Sequence, residues 1–511
     1  MAAGLRNVLL SFCLIALGGL LFGYMIGINS NVVTKGQLIC PDDWTGDVGN
    51  WTSWGYGQCY HFSDWGQGIL SSMNLIGATL SSLICFQYAD DLGRKREVQI
   101  GAALYLAGSL GAALSPVLWG IYAGLLVYGL GIGFAMHAAP VYIAEISPAE
   151  VRGTLVSAKE AVIVLGIFGG FASGAVFSSM PQDGWRLMVG LAGALALVME
   201  CGIVFVPNSP RWLLLQSVRR AALLGSDSRC EEEARAGLRF FRRGAPAEEV
   251  ETELQAIRDD AAASLGQGQA GCCQAFRYPK PLRIGWGLVL LQQVTGQPSV
   301  LYFATNIFKG AGFKSSAALS SVGVGFVKLV ATLFTVFRVD RYGRRVLLLS
   351  GIAMMAVSLL VLGTAFLFRE CSEPVSRMED CKQDDVRLPQ GWAICTVAAL
   401  MLYVSGYQVG FGPISWLMIS EIFPLNIRGA ALSTAAVVNF SSNITMTLCQ
   451  TALMSALTPA GLFYAYLVLT VVSFGFVKVA VPETKGKTLE EIEVLMTGKR
   501  RNAPSGNIQV A

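Results

Sequence analysis

Twelve stretches of this chain are apolar over about 20 residues or more, the length a helix needs to cross a bilayer. They run roughly 7 to 33, 66 to 89, 97 to 116, 119 to 144, 154 to 179, 186 to 206, 282 to 308, 317 to 338, 346 to 368, 392 to 420, 430 to 456 and 460 to 480. In lipid every backbone polar group must be paired internally, so runs of this kind fold as helices packed into a bundle. Only 14% of the residues are charged, against about 25% in soluble domains. The 57 glycines fit the same picture, because glycine lets membrane helices approach closely. The expectation is an all-α membrane protein, with the lipid bilayer as its solvent.

The charges that remain are sorted by side. Arg94, Lys95 and Arg96, then Arg152, the loop over 207 to 281, Arg338, Arg341 to Arg345 and Arg428 all fall between alternate runs. The opposite loops, "CPDDWTGDVGNWTSWGYGQC" and "ECSEPVSRMEDCKQDD", lean acidic. The positive-inside rule therefore places both termini in the cytoplasm. On the acidic side Cys40 with Cys59 and Cys371 with Cys381 are candidate disulfides, and Asn50 opens a glycosylation sequon. Together these favour a membrane of the secretory route, the plasma membrane first, with vacuolar and plastid envelope membranes as alternatives. No long extension precedes the first run, so no cleaved transit peptide is expected.

Several classes are excluded at this stage. A net charge of +4 is too small to argue for nucleic acid. The twelve cysteines show no metal spacing and no CxxC, and Cys272–Cys273 is a vicinal pair in a loop. No nucleophile elbow or phosphate loop appears, so neither an enzyme nor a metal or other cofactor is expected.

Internal repetition organises the chain. "DDLGRK" (Asp90 to Lys95) recurs 250 positions on as "DRYGRR" (Asp340 to Arg345), and "AEISPAEVRG" (Ala144 to Gly153) recurs 276 on as "SEIFPLNIRG" (Ser420 to Gly429). "VPNSPR" from Val206 recurs 275 on as "VPETKG" from Val481. Two parallel six-helix repeats follow, residues 1–206 and 282–480, joined by a linker over 207–281 and ending in a tail over 481–511. The linker holds "CEEEARAGLRFFRRG" and "AEEVETELQAIRDDAA", which read as short amphipathic helices on the cytoplasmic face.

These motifs, with "PNSPRWLL", "QQVTGQPSVLYFATNIF", "GFGPISWLMISEIFP" and "PETKGKTLEEIE", resemble the sugar porter family of the major facilitator superfamily over the whole chain. "YGLGIGFAMHAAPVYIAE" is similar to its plant xylose-symporter-like branch. The resemblance implies twelve spans in the major facilitator fold and alternating-access transport of a monosaccharide, hexose or pentose. One departure is Asp91, where the family carries a basic residue.

The charges of the repeats form a candidate cytoplasmic gate. Asp90, Arg94, Glu145 and Arg152 stand in the first half, and Asp340, Arg341, Arg344, Glu421 and Arg428 in the second. Opposite charges at helix ends can bond while the cavity faces outward and separate when it opens inward, which biases a two-state equilibrium. The substrate site is expected near mid-membrane between the halves. A sugar needs amides as two-way hydrogen-bond partners and an aromatic face. Gln292, Gln293 and Gln297 beside Pro298, with Gln408, Trp416, Asn439 and Asn443, offer these. The resemblance implies sugar contact for Gln292, Gln293, Trp416 and Asn439.

Coupling is read from two losses. Proton-driven members of the family carry an acid after the "FGY" triplet of the first helix and an Arg on the fourth. Here Met25 and Leu125 stand at those positions. A uniporter follows unless another acid has taken the role, and Glu160 is the candidate. It lies eight residues beyond Arg152, roughly 12 Å of helical rise. Lys328, about 15 Å above Arg338 by the same rise, is a second charge at depth, and an isolated one costs at least about 2.5 to 3.5 kcal/mol.

Three readings stand: a Glu160–Lys328 bridge that sugar hydroxyls replace in a uniporter; proton symport through Glu160 tuned by Lys328; or an anionic substrate, a sugar acid or sugar phosphate, held by Lys328. Polyols belong to the same range of cargo. Lys159, about 100° round the helix from Glu160, reads as a snorkelling residue. His137 reads as a buried hydrogen-bonding residue ahead of a proton relay. A non-transporting nutrient sensor on the same fold is the remaining class. The expected partners are a small sugar and, in the symport reading, protons; the working unit is expected to be a monomer.

Overall fold

A computed structural model describes residues 2–34, 37–41, 48–49, 55–56, 58–180, 183–224, 228–265, 276–302, 304–310, 317–371, 386–423, 428–487 and 489–497. The first six long helices are α1 (Ala2–Val32), α2 (Asp64–Leu92), α3 (Arg94–Leu114), α4 (Leu118–Ile146), α5 (Ala149–Phe177) and α6 (Gly184–Ile203). Three shorter ones follow, α7 (Pro210–Leu224), α8 (Ser228–Phe241) and α9 (Ala247–Leu265).

The second set begins with a broken crossing, α10 (Pro279–Val294), α11 (Gln297–Tyr302) and α12 (Ala304–Gly310). It continues with α13 (Ala317–Tyr342), α14 (Arg344–Leu367), the bent span of α15 (Gln390–Val409) and α16 (Phe411–Ile422), and α17 (Arg428–Ala480). A last helix, α18, covers Leu489–Thr497. Helix α17 is two crossings in one, interrupted at Thr458 (φ 61) ahead of Pro459, which has no N–H to continue the ladder. Counting the broken seventh crossing and the divided α17, the twelve expected crossings are present.

Close approach explains the glycine load. A Cβ added to Gly23 of α1 would lie 1.9 Å from the carbonyl oxygen of Ile163 in α5, so only a hydrogen fits there. Buried tyrosines fasten the bundle: Tyr105 and Tyr128 donate to the carbonyls of Gly18 and Leu21, each at 2.9 or 2.8 Å, and Tyr24 donates to Met188 at 2.9 Å. In a lipid-solvated bundle such bonds, with dispersion, replace the hydrophobic drive between helices.

Helices α8 and α9 fall on the two stretches expected to be amphipathic helices, and α7 precedes them. The three helices build a small core of their own from Leu213, Leu214, Ala234, Leu238, Val250, Leu254 and Ile257. Outside it Arg235 and Arg242 make two-point pairs with Glu251 and Glu253. The bonded hydrogen from Arg235 holds the Glu251 carboxyl below the ordinary carboxylate range. This unit docks on the first set of helices, where Arg242 donates to the Ile146 carbonyl at 3.0 Å and Asn7 donates to that of Phe240 at 2.9 Å. The end of the bundle that carries it is called the linker face here. Asp91, the departure from the family pattern, lies 3.9 Å from Arg219 of α7, so the reversed charge meets a basic residue of the linker.

At the opposite face Cys40 and Cys59 form a disulfide next to the two-residue parallel pairing of β1 (Val48–Gly49) with β2 (Cys59–Tyr60). Cys371, in the strand β3 (Glu370–Cys371) that pairs antiparallel with β4 (Val386–Arg387), is also disulfide-bonded. Cys381, Asn50 and the vicinal Cys272–Cys273 lie outside the described residues.

Candidate functional site

The break in the seventh crossing sets the site. Gly296 takes φ 99, a conformation open to glycine, and helix α10 ends there. The carbonyl of Thr295 freed by the break accepts from Tyr403 at 3.0 Å, and Ser299 bonds Tyr466, which donates on to Gln450 at 2.8 Å. Satisfied in this way, a break can persist at membrane depth.

Beside it lies a cleft lined by Gln297, Val300, Leu301, Lys328, Tyr403, Val404 and Tyr407. Lys328 is 3% exposed. Its ammonium donates to Gln408 Oε1 at 2.7 Å and sits 4.8 Å from the centre of the Tyr407 ring, whose face attracts a cation. Gln408 passes the chain on to Thr332 at 2.6 Å. Gln292 donates to the Tyr407 hydroxyl at 2.8 Å from the other side. Five polar side chains from α10, α13 and α15 thus form one connected network. The buried amide oxygens of Gln292 and Gln293 have no partner among the described residues, which leaves two acceptors for a ligand's hydroxyls.

Glu160 stands differently from the expected bridge. It is half-buried and near enough to act on the charge of Lys328, yet among the described residues it forms no hydrogen bond and no ion pair within 4.0 Å. Lys328 has turned to the neutral Gln408 instead, so no direct Glu160–Lys328 bridge is present here. Lys159 is half-buried with its stem beside Gly19 of α1. Asn439 and Asn443 are 8% and 7% exposed, Asn443 accepts from Thr447 at 3.1 Å, and Trp416 packs half-buried against the core. Neither Trp416 nor Asn439 joins the network around Lys328.

The positions read as coupling losses meet in space. Met25 and Leu125 line one narrow void with Ile28, Asn29, Leu70 and Trp185. Its walls hold no titratable side chain.

The motif charges also pair, but within each set of helices. Arg94 at the start of α3 meets Glu145 near the end of α4 at 3.3 Å, and Arg344 at the start of α14 meets Glu421 near the end of α16 at 3.0 Å. Glu421 also accepts from Thr484 at 2.6 Å, and Glu483 takes the N–H groups of Arg344 and Arg345, both at 3.0 Å, capping α14. These two residues of the "PETKG" segment were not singled out from sequence. Arg341 is exposed. The side chains of Asp90, Asp340 and Arg428 lie outside the described residues. These ion pairs brace α3 to α4 and α14 to α16, opposite charges bonding across neighbouring helix ends.

Among the described residues, hydroxyl, amide, carbonyl and carboxylate groups bond across the two sets. At the disulfide face Ser30 shares a hydrogen bond with Thr305 at 3.1 Å and Thr305 donates to Asn31 at 3.2 Å. Thr451 donates to the carbonyl of Asp64 at 2.6 Å and Ser455 to its carboxylate at 3.0 Å.

With this geometry in hand, comparison with known proteins is direct. A family model described as "Sugar (and other) transporter" matches residues 12–496. D-xylose-proton symporter-like 2 of Arabidopsis thaliana is 40% identical over 491 residues, covering 95% of this chain and 90% of that protein. The D-xylose transporter of Levilactobacillus brevis is 31% identical over 95% of this chain and 94% of its own length. Among solved structures, the inward open conformation of the xylose transporter XylE from E. coli is 25% identical with a TM-score of 0.71, covering 96% of this chain and 100% of that one. XylE bound to 6-bromo-6-deoxy-D-glucose gives 0.69, again at 25% identity, over 96% of this chain and 99% of that one.

Proposed function

The chain belongs to the sugar transporter family of the major facilitator superfamily, and from that premise we propose that it is a facilitative monosaccharide carrier working by alternating access. It is an integral membrane transporter and not an enzyme. The observation that carries uniport is the apolar meeting of Met25 and Leu125, which leaves nothing to hold a proton where coupled relatives of this fold need one. The cargo is a pentose or hexose: the network of Gln292, Tyr407, Lys328 and Gln408 presents both donors and unpaired acceptors to hydroxyl groups. Gln293, Gln297, Trp416 and Asn439 belong to the same site, with Glu160 facing Lys328 from the other set of helices.

In this reading the linker face is cytoplasmic, because it gathers the basic residues. The Cys40–Cys59 disulfide favours an oxidising compartment on the opposite side and so a secretory-route membrane, the plasma membrane first. The carrier works as a monomer.

A second reading has a specific observation behind it. Glu160 is an acid at membrane depth with no bonded partner among the described residues, and relatives at about 40% identity are named xylose-proton symporter-like. Proton symport through Glu160 is the alternative. Uptake of labelled pentoses, hexoses, polyols and sugar acids into proteoliposomes, with and without an imposed pH gradient, separates the two. Uniport predicts equilibration without accumulation. Gradient-driven accumulation overturns it, and its loss in Glu160→Gln assigns the proton to Glu160.

A further inference from the structure

One cluster of reactive side chains is untouched by the transport reading. Cys85 near the end of α2, Glu97 in the first turn of α3 and His137 in α4 bring a thiol sulfur, a carboxylate oxygen and a ring nitrogen within 4.8 Å of one another. In sequence they are 12 and 40 residues apart and show no metal spacing, so only the packing of α2, α3 and α4 reveals them.

We propose that Cys85, Glu97 and His137 form a binding site for a divalent ion of the zinc class. The first ground is the donor set. A thiolate and an imidazole select a borderline or soft ion over Mg²⁺ or Ca²⁺, and Cys, His and carboxylate are all zinc ligands. The second is charge. Glu97 is 1% exposed and Cys85 0% exposed, and burying a carboxylate without compensation is costly. The neighbouring guanidinium of Arg94 faces Glu145. A dication between a carboxylate, a thiolate and a neutral imidazole sums to zero, the balance that a low-dielectric site requires.

The third ground is an orphan. Glu97 Oε1 meets His137 Nδ1 at 2.6 Å, but the buried Glu97 Oε2 has no partner among the described residues. Three donors about 2.0 to 2.3 Å from a tetrahedral ion sit about 3.3 to 3.7 Å from one another. The Glu97–His137 spacing of 2.6 Å lies below that range and no donor spacing exceeds 4.8 Å, so side-chain shifts of about an ångström admit the ion. The His137 side chain is 29% exposed, which leaves an approach.

The ion's place gives it a consequence. Glu97 is three residues from Arg94 and His137 eight from Glu145, so the ion ties together the same two helices that the Arg94–Glu145 pair joins, and adds α2. Metal occupancy thereby stiffens the linker-face end of the first set of helices.

The test uses the full chain in detergent, stripped with chelator, loaded with Zn²⁺ or Co²⁺ and desalted. Elemental analysis should find one more Zn²⁺ per chain in the wild type than in Cys85→Ala or His137→Gln. Co²⁺ loading of the wild type should give a thiolate-to-cobalt absorption band that Cys85→Ala lacks. Both variants should elute as the wild type does on size exclusion. Equal Zn²⁺ content in wild type and variants, or no thiolate-to-cobalt band in the wild type, overturns the site and leaves Glu97 and His137 as a hydrogen-bonded pair. The second readout needs no variant to fold.

Discussion

Arg344 holds Glu421 at 3.0 Å across the starts and ends of two neighbouring helices, and 250 positions earlier Arg94 holds Glu145 in the same relation at 3.3 Å. The exposures also match, with all four side chains between 13% and 15%. The sequence repeat is therefore a repeat of one bond.

Pairs this deep lie between the surface and buried limits, so breaking one by Arg→Gln should cost roughly 1 to 3 kcal/mol. The second pair is better supported: two nitrogens of Arg344 reach one oxygen of Glu421 while Thr484 holds the other. Arg344→Gln should accordingly lower the melting temperature in detergent more than Arg94→Gln. Adding Glu421→Gln to Arg344→Gln should cost less than the sum of the singles. Equal losses for the two arginines would show that Thr484 contributes nothing.

The Lys328–Gln408 contact gives an asymmetric prediction. Lys328→Met removes a buried charge and fills its place with an apolar chain, a change often neutral or stabilising. Gln408→Leu strands the ammonium instead, and uncompensated buried charges cost about 3 to 5 kcal/mol. Gln408→Leu should thus be the less stable protein. Lys328→Met should stay folded yet raise KM for sugar about tenfold, the order of one lost charge-assisted bond at 1.4 kcal/mol per decade. Unchanged uptake kinetics in Lys328→Met would remove Lys328 from the site.

Gly296→Ala tests the helix break. The new Cβ would meet the Tyr466 ring at 2.6 Å, and the backbone there has φ 99. Strain of about 1 to 3 kcal/mol is expected from the backbone alone. Melting temperature and transport should both fall.

The α8–α9 contact should respond to acid. Arg235 holds the Glu251 carboxyl below its ordinary range, so the pair supports the folded linker at any pH above the unfolded value and loses that support as pH falls through the lower folded value. The protection factors of the α9 amides, corrected for the intrinsic pH dependence of exchange, should be flat from pH 8 down to the carboxylate range and lower below it. Arg235→Gln should abolish the step. The pair is exposed and salt-screened, so the step should shrink at high ionic strength.

Much of this architecture was legible because lipid imposes a coarse grammar. Run length announces the crossings, and the repeated charged turns mark their ends. Lys328 announced itself as a charge where none is cheap. Its real neighbours did not: Tyr407 is one aromatic among many in an apolar helix, and nothing in a linear pattern distinguishes a ring beneath an ammonium from a ring in the core. Gln408 reads from sequence as a sugar ligand, and its pairing with Lys328 depends on how α13 lies against α15. Glu483 and Thr484 sit in a motif legible only as a whole, and their individual bonds need the two helix ends in space. Spacing along a chain shows which charges share an end of the bundle but not which helix each one faces, so the Arg94–Glu145 and Arg344–Glu421 pairings needed the packed helices.

The seam between the two sets of helices has an energetic reading of its own. Among the described residues its direct polar bonds are four, made by Ser30, Asn31, Thr305, Asp64, Thr451 and Ser455. At about 1 kcal/mol net apiece they amount to roughly 4 kcal/mol, or a bias of about a thousandfold. Each can be released on its own. If the sets part on that side, these bonds can break one at a time in steps small enough for thermal motion, whereas the Arg94–Glu145 and Arg344–Glu421 pairs each lie within one set.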